Sequence, residues 1–128
     1  MTMKKYSILL VENEKNLVEC LDLLLTIEGH FVTTAENGEE ALKILQEVYG
    51  RGKKFDLMIT DIWMPQMSGL ELVNKLNQHN INVKVLGTSG YVDNETIAKL
   101  AEKGCTNLIL KPYTTEKLFN KIEEIMSV

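Results

Sequence analysis

Four apolar runs in the sequence each end in residues able to do chemistry. Ser7–Val11 leads into Glu12, Asn13 and Glu14; Phe55–Thr60 leads to Asp61; Val83–Thr88 ends in Thr88 with Ser89 beyond it; Asn107–Leu110 is followed by Lys111. Carboxylates, hydroxyls and an ammonium suit one task in particular: oxygen ligands for a hard divalent cation, a carboxylate nucleophile, and donors that hold a transferred phosphoryl group. Phosphoryl transfer is governed by positioning and charge neutralisation, which such a set supplies.

These groups act together only if the fold brings the ends of the runs to one place. Ser7–Val11 is an apolar run, unbroken from Ile8 on, as expected of a strand covered on both faces. Leu17, Cys20, Leu21, Leu24 and Leu25 then recur at helical spacing, with Gly29 as a stop before a second strand, Phe31–Ala35. Ala41, Leu42, Leu45 and Val48 mark a second helix behind Gly38, and the polar segment 50–54 breaks it before the strand Phe55–Thr60.

Pro65 and Gly69 punctuate the next loop, and Leu72, Val73 and Leu76 mark a third helix before the strand Val83–Thr88. Asp93 is a fitting N-cap for a helix carrying Ile97, Leu100 and Ala101, closed by Gly104; Thr114 caps a last helix along Leu118, Ile122 and Ile125. Five alternations of strand and helix predict an α/β fold with an open, mostly parallel sheet and helices on both faces. In such sheets functional groups gather beyond the carboxyl ends of the strands, where all four polar clusters fall.

Bulk properties narrow the function. A chain of 128 residues, 45% hydrophobic and 25% charged, is expected to form one domain, residues 1–128, with no room for a second. Fourteen basic residues against eighteen acidic ones give a net charge of -4 without a basic stripe, which argues against direct nucleic-acid binding. The apolar stretch after Lys4 and Lys5 is too short for a signal peptide or a membrane span, so a cytoplasmic protein is expected. Cys20 and Cys105, and His30 and His79, lack metal-ligand spacing and read as free thiols and ordinary loop histidines.

The chain resembles the response-regulator receiver family of two-component signalling over essentially its whole length. The resemblance rests on Ile8-Leu9-Leu10-Val11-Glu12-Asn13-Glu14, Asp61-Ile62-Trp63-Met64-Pro65 with Gly69 beyond, Thr88-Ser89-Gly90-Tyr91, and Lys111-Pro112-Tyr113. Each motif is weak alone; their order and placement make the combination specific. It implies a doubly wound five-stranded parallel sheet of order 2-1-3-4-5, a flavodoxin-like receiver fold. It further implies that Asp61 accepts a phosphoryl group from a sensor histidine kinase or phosphotransfer protein, and that the protein signals to a downstream target through contacts rather than by turnover catalysis.

The same resemblance assigns Mg²⁺ to Glu12, Asn13, Asp61 and the backbone carbonyl of Trp63, with Glu14 pointing into solvent. Thr88 and Ser89 compete for the switch hydroxyl, and the small Gly90 that follows selects Ser89. Lys111 is expected to contact the phosphoryl group through a charge-assisted bond, ahead of a peptide bond to Pro112 that is usually cis in the family. Signalling is expected through the face built from the fourth helix, fifth strand and fifth helix. Trp63 and Tyr91 flank the pocket at variable positions.

Two residues depart from the family pattern. Asn13 stands where an aspartate is usual, so one negative charge is missing from the cation site, and weaker Mg²⁺ binding is expected. Leu108 stands where a Tyr or Phe often moves with the switch hydroxyl. Asn13 supports an alternative reading, a pseudo-receiver that presents a fixed binding surface. Flavin or dinucleotide binding would need a glycine-rich loop after strand one, and Glu12-Asn13-Glu14-Lys15 offers none. A haloacid-dehalogenase-type phosphatase would need a second aspartate where Trp63 stands.

Overall fold

A computed structural model of the chain describes residues 4–127. The elements alternate as β1 (Ser7–Val11), α1 (Lys15–Ile27), β2 (Phe31–Ala35), α2 (Gly38–Gly50), β3 (Leu57–Asp61), α3 (Gly69–Gln78), β4 (Lys84–Ser89), α4 (Asn94–Glu102), β5 (Asn107–Leu110) and α5 (Thr115–Met126). The five strands are parallel, in the order β2-β1-β3-β4-β5 expected from the family resemblance.

The period-two geometry of a strand divides β1 between two cores. Ile8 and Leu10 join Leu21 and Leu25 of α1 and Leu118, Ile122 and Ile125 of α5 on one face. Leu9 and Val11 join Ala41 and Leu45 of α2 and Leu72 and Leu76 of α3 on the other. A smaller cluster of Ile62, Val73, Leu100 and Cys105 seats α4. Burial on both faces explains why β1 is apolar from Ile8 to Val11, ahead of Glu12.

The helices start where local hydrogen bonds allow. Asn37, Ser68, Asp93 and Thr114 each accept, through a side-chain oxygen, the backbone N–H three residues on, which satisfies a donor that the first turn leaves unpaired. The caps at Asp93 and Thr114 are those read from the sequence. Gly29, at φ 100°, takes the left-handed conformation that ends α1.

Several boundaries and burials differ from the expectation. β3 begins at Leu57; ahead of it the buried Phe55 donates its N–H to the Tyr49 hydroxyl at 3.3 Å, and that hydroxyl lies 3.1 Å from the Asn82 carbonyl as its nearest acceptor. β4 is shifted one residue on, so that Ser89 lies within the strand, opposite Leu110. In α4 only Leu100 of the three apolar markers is buried; Ile97 and Ala101 face solvent, and Thr96 takes an inner position. His30 is not an ordinary loop histidine: it is buried, stacks on Tyr6 with ring centroids 5.3 Å apart, and accepts the Tyr6 N–H at Nδ1. Cys20 and Cys105 are free, the first exposed and the second buried.

Candidate functional site

Parallel pairing places the carboxyl ends of β1, β3, β4 and β5 side by side. Asp61 lies opposite Thr88, and Ser89 opposite Leu110. The Ile62 N–H donates to the Thr88 carbonyl at 2.9 Å, and the Lys111 N–H to the Ser89 carbonyl at 2.7 Å, so the ladder continues past the strand ends. Residues distant in sequence therefore share one edge, as the strand-end argument requires.

Lys111 is the centre of that edge. Its ammonium donates to Glu12 Oε1 at 3.0 Å and to Asp61 Oδ2 at 3.1 Å. The side chains of Glu12 and Asp61 are only 5% and 13% exposed, so both carboxylates depend on donors within the fold. Burial opposes the positive charge on Lys111, but the hydrogen bonds and charges of Glu12 and Asp61 outweigh it and raise the lysine above its ordinary pKa. The other carboxylate oxygens are also engaged: Glu12 Oε2 accepts the Glu14 N–H at 3.0 Å, and Asp61 Oδ1 accepts the Trp63 N–H at 3.1 Å. The Lys111–Pro112 peptide bond is cis.

Of the residues read from the sequence, Glu12, Asp61 and Lys111 are brought into direct contact. Asn13 is exposed beside them and lines a cleft with Glu12, Lys15, Thr34 and Glu36. Glu14 is exposed. Ser89 is buried at the same edge, and its hydroxyl is engaged by Tyr91, donating to the Tyr91 carbonyl at 2.5 Å and accepting the Tyr91 N–H at 3.0 Å. Thr88 is also buried. Trp63 and Tyr91 are not independent loop aromatics, because the Trp63 indole N–H donates to the Tyr91 carbonyl.

Two contributions had little or no signal in the sequence. Gly69 does more than punctuate a loop: a Cβ there would stand 2.8 Å from the Asp61 carbonyl oxygen and 2.9 Å from Ile62 Cα. Only glycine lets the start of α3 lie this close to the backbone that carries Asp61. Gly87 makes room for Ile62 and Leu108, whose terminal carbons would lie 2.6 and 2.7 Å from an added Cβ. Leu108 thus packs across β4 where the family often carries a mobile aromatic.

The pattern of the response regulator receiver domain matches residues 8–123. The chain belongs to this family. The receiver domain is 31% identical over 126 residues to the probable C4-dicarboxylate response regulator DctR of Bacillus subtilis, covering 97% of this chain and 54% of the relative. It is 34% identical over 116 residues to a cyclic di-GMP phosphodiesterase of Thermotoga maritima, covering 91% of this chain and 30% of the relative. The chain thus spans about half the length of the first and less than a third of the second. A solved CheY-like receiver domain from Methanospirillum hungatei superposes with a TM-score of 0.84 at 26% identity, over 98% of this chain and 95% of that one. Receiver domains are signalling modules of two-component systems rather than turnover enzymes, and they bind Mg²⁺ at the acidic pocket.

Glu12 and Asp61 supply two carboxylates at one edge and Asn13 a neutral amide oxygen, all hard donors of the kind Mg²⁺ takes. Among the described residues, no three or more Asp, Glu, His or Cys side chains gather into a metal cluster. Asn13 adds an amide oxygen and no charge. The residues fit a divalent cation in kind, with two carboxylates as its charged donors. No helix among the described residues is long and apolar enough to cross a membrane.

Proposed function

We propose that this receiver domain is a phosphorylation-dependent signalling switch with Asp61 as phosphoacceptor, supplied by a sensor histidine kinase or a phosphotransfer protein. The observation that carries the reading is the Lys111 ammonium held between Asp61 and Glu12 at the carboxyl edge of the sheet. An Asp61 oxygen attacks the phosphorus of a phosphohistidine, the P–N bond breaks, and the imidazole nitrogen keeps the electron pair. Lys111 neutralises charge on the incoming phosphoryl group, and Ser89 turns from Tyr91 to donate to it. Glu12, Asn13, Asp61 and the Trp63 carbonyl would hold Mg²⁺, which supplies further charge neutralisation when bound.

Output follows through contact with a downstream target protein, using the surface of α4, β5 and α5. The acidic charge balance favours a protein partner over nucleic acid. We place the domain in the cytoplasm, without membrane insertion.

Intact-mass analysis after incubation with acetyl phosphate and Mg²⁺ tests this reading. Addition of one phosphoryl group, abolished by Asp61→Ala, is the expected result; no mass gain across a range of Mg²⁺ concentrations would overturn it. Asn13 favours a second reading, a pseudo-receiver with weakened metal binding and a fixed binding surface. Asn13→Asp restores a charge at the cation site and is expected to tighten Mg²⁺ binding, read from the fluorescence of Trp63, the sole tryptophan. An unchanged affinity would show that Asn13 is not what limits the site.

A further inference from the structure

Trp63 ties the phosphoacceptor to the loop after β4. Its backbone N–H donates to Asp61 Oδ1, and its indole N–H donates to the carbonyl of Tyr91. That carbonyl also receives the hydroxyl proton of Ser89, while the Tyr91 N–H donates back to Ser89 Oγ. One carbonyl therefore accepts from both the switch hydroxyl and the indole.

A serine hydroxyl carries a single proton, so Ser89 cannot donate to a phosphoryl group on Asp61 while it donates to Tyr91. The exchange is easier the more freely the Tyr91 peptide can move. Little else anchors this loop, since the Tyr91 side chain is 68% exposed and the space around Gly90 is open. The indole itself is half exposed, so burial alone does not dictate where its N–H points.

We propose that the Trp63 indole is a latch for the resting state, holding the Tyr91 carbonyl where it keeps Ser89 captive. Trp63 is then a positioning residue that sets the threshold for switching, beyond any contribution of its own carbonyl to a cation. The inference rests on the roles proposed above for Asp61 and Ser89. Its energetic content is one neutral hydrogen bond near the surface, equivalent to about a five-fold change in the resting equilibrium.

The test uses the full chain and two replacements at position 63: Trp63→Phe, and the benzothienyl analogue of tryptophan, which keeps the bicyclic ring and deletes only the N–H. In the unphosphorylated protein, both should speed amide exchange at Tyr91 by about five-fold. Both should also tighten binding of beryllium fluoride, an acyl phosphate mimic, by a similar factor in the presence of Mg²⁺. That gain should vanish when Ser89→Ala is present, because the latch acts through the serine. Unchanged Tyr91 exchange with the benzothienyl analogue, or a gain that survives Ser89→Ala, overturns the latch. Failure of beryllium fluoride to bind any of these proteins refutes instead the phosphoacceptor reading and the role of the latch in switching, while Tyr91 exchange still decides whether the indole holds the loop.

Discussion

Lys111→Met tests the electrostatics of the site directly, since it keeps an apolar stem and removes the ammonium from between two carboxylates. The lost contacts are 3.0 Å to Glu12 and 3.1 Å to Asp61, whose side chains are 5% and 13% exposed. Removing one partner of a fully buried pair costs about 3–5 kcal/mol, whereas an exposed pair is worth about 0–1 kcal/mol. This site lies between those limits. Lys111 itself is 25% exposed, and each carboxylate keeps one backbone donor, from Glu14 and Trp63 respectively. A loss of about 2–3 kcal/mol follows by interpolation. Urea unfolding at neutral pH in EDTA measures it. Mg²⁺ at ten times its Kd should then return about 1.4 kcal/mol by mass action. Its affinity should be higher in the variant than in the parent, because the lysine no longer competes for the same oxygens. A variant within about 0.5 kcal/mol of the parent in EDTA, the scatter expected of ordinary surface substitutions, would show that solvent already screens the site.

Gly69→Ala is expected to cost about 1–3 kcal/mol, because its Cβ meets the backbone of Asp61 and Ile62, which cannot swing aside as a side chain would; an unchanged urea midpoint would mean that α3 is not held against this backbone. His30 predicts a pH dependence. Burial lowers its pKa below the ordinary histidine value, with Glu123 and Glu28 opposing the shift, so the unfolded chain binds the proton more readily. The stability gained from a neutral His30 is therefore present above about pH 6.5 and is lost as pH falls below it, with a slope of at most about 1.4 kcal/mol per pH unit. His30→Gln, whose side-chain oxygen can still accept the Tyr6 N–H, should flatten that part of the curve; parallel stability curves for the two proteins between pH 5 and pH 7 would falsify the assignment.

The sequence by itself determined the alternation of five strands and five helices, the caps at Asp93 and Thr114, and the edge at which the polar residues meet. These features are legible because their causes are local or periodic. An apolar run buried on both faces ends where a polar residue must emerge, and Asp or Thr at an N-cap binds an N–H only three residues away. Glu12, Asp61 and Lys111 could thus be placed at one edge from strand ends alone.

Tertiary structure decided what those residues do there. Lys111 reaches Glu12 across 99 positions and Asp61 across 50, and Trp63 reaches the Tyr91 carbonyl across 28, so no local pattern encodes which oxygen each donor takes. Gly90 singles out Ser89 within the sequence, but the partners of its hydroxyl depend on the fold of the loop at Tyr91. His30 appeared ordinary because its ring partner, Tyr6, lies 24 positions earlier, across the β1–β2 pairing. The need for glycine at position 69 arises only when α3 is laid against the Asp61 backbone, a distance fixed by packing rather than by sequence spacing.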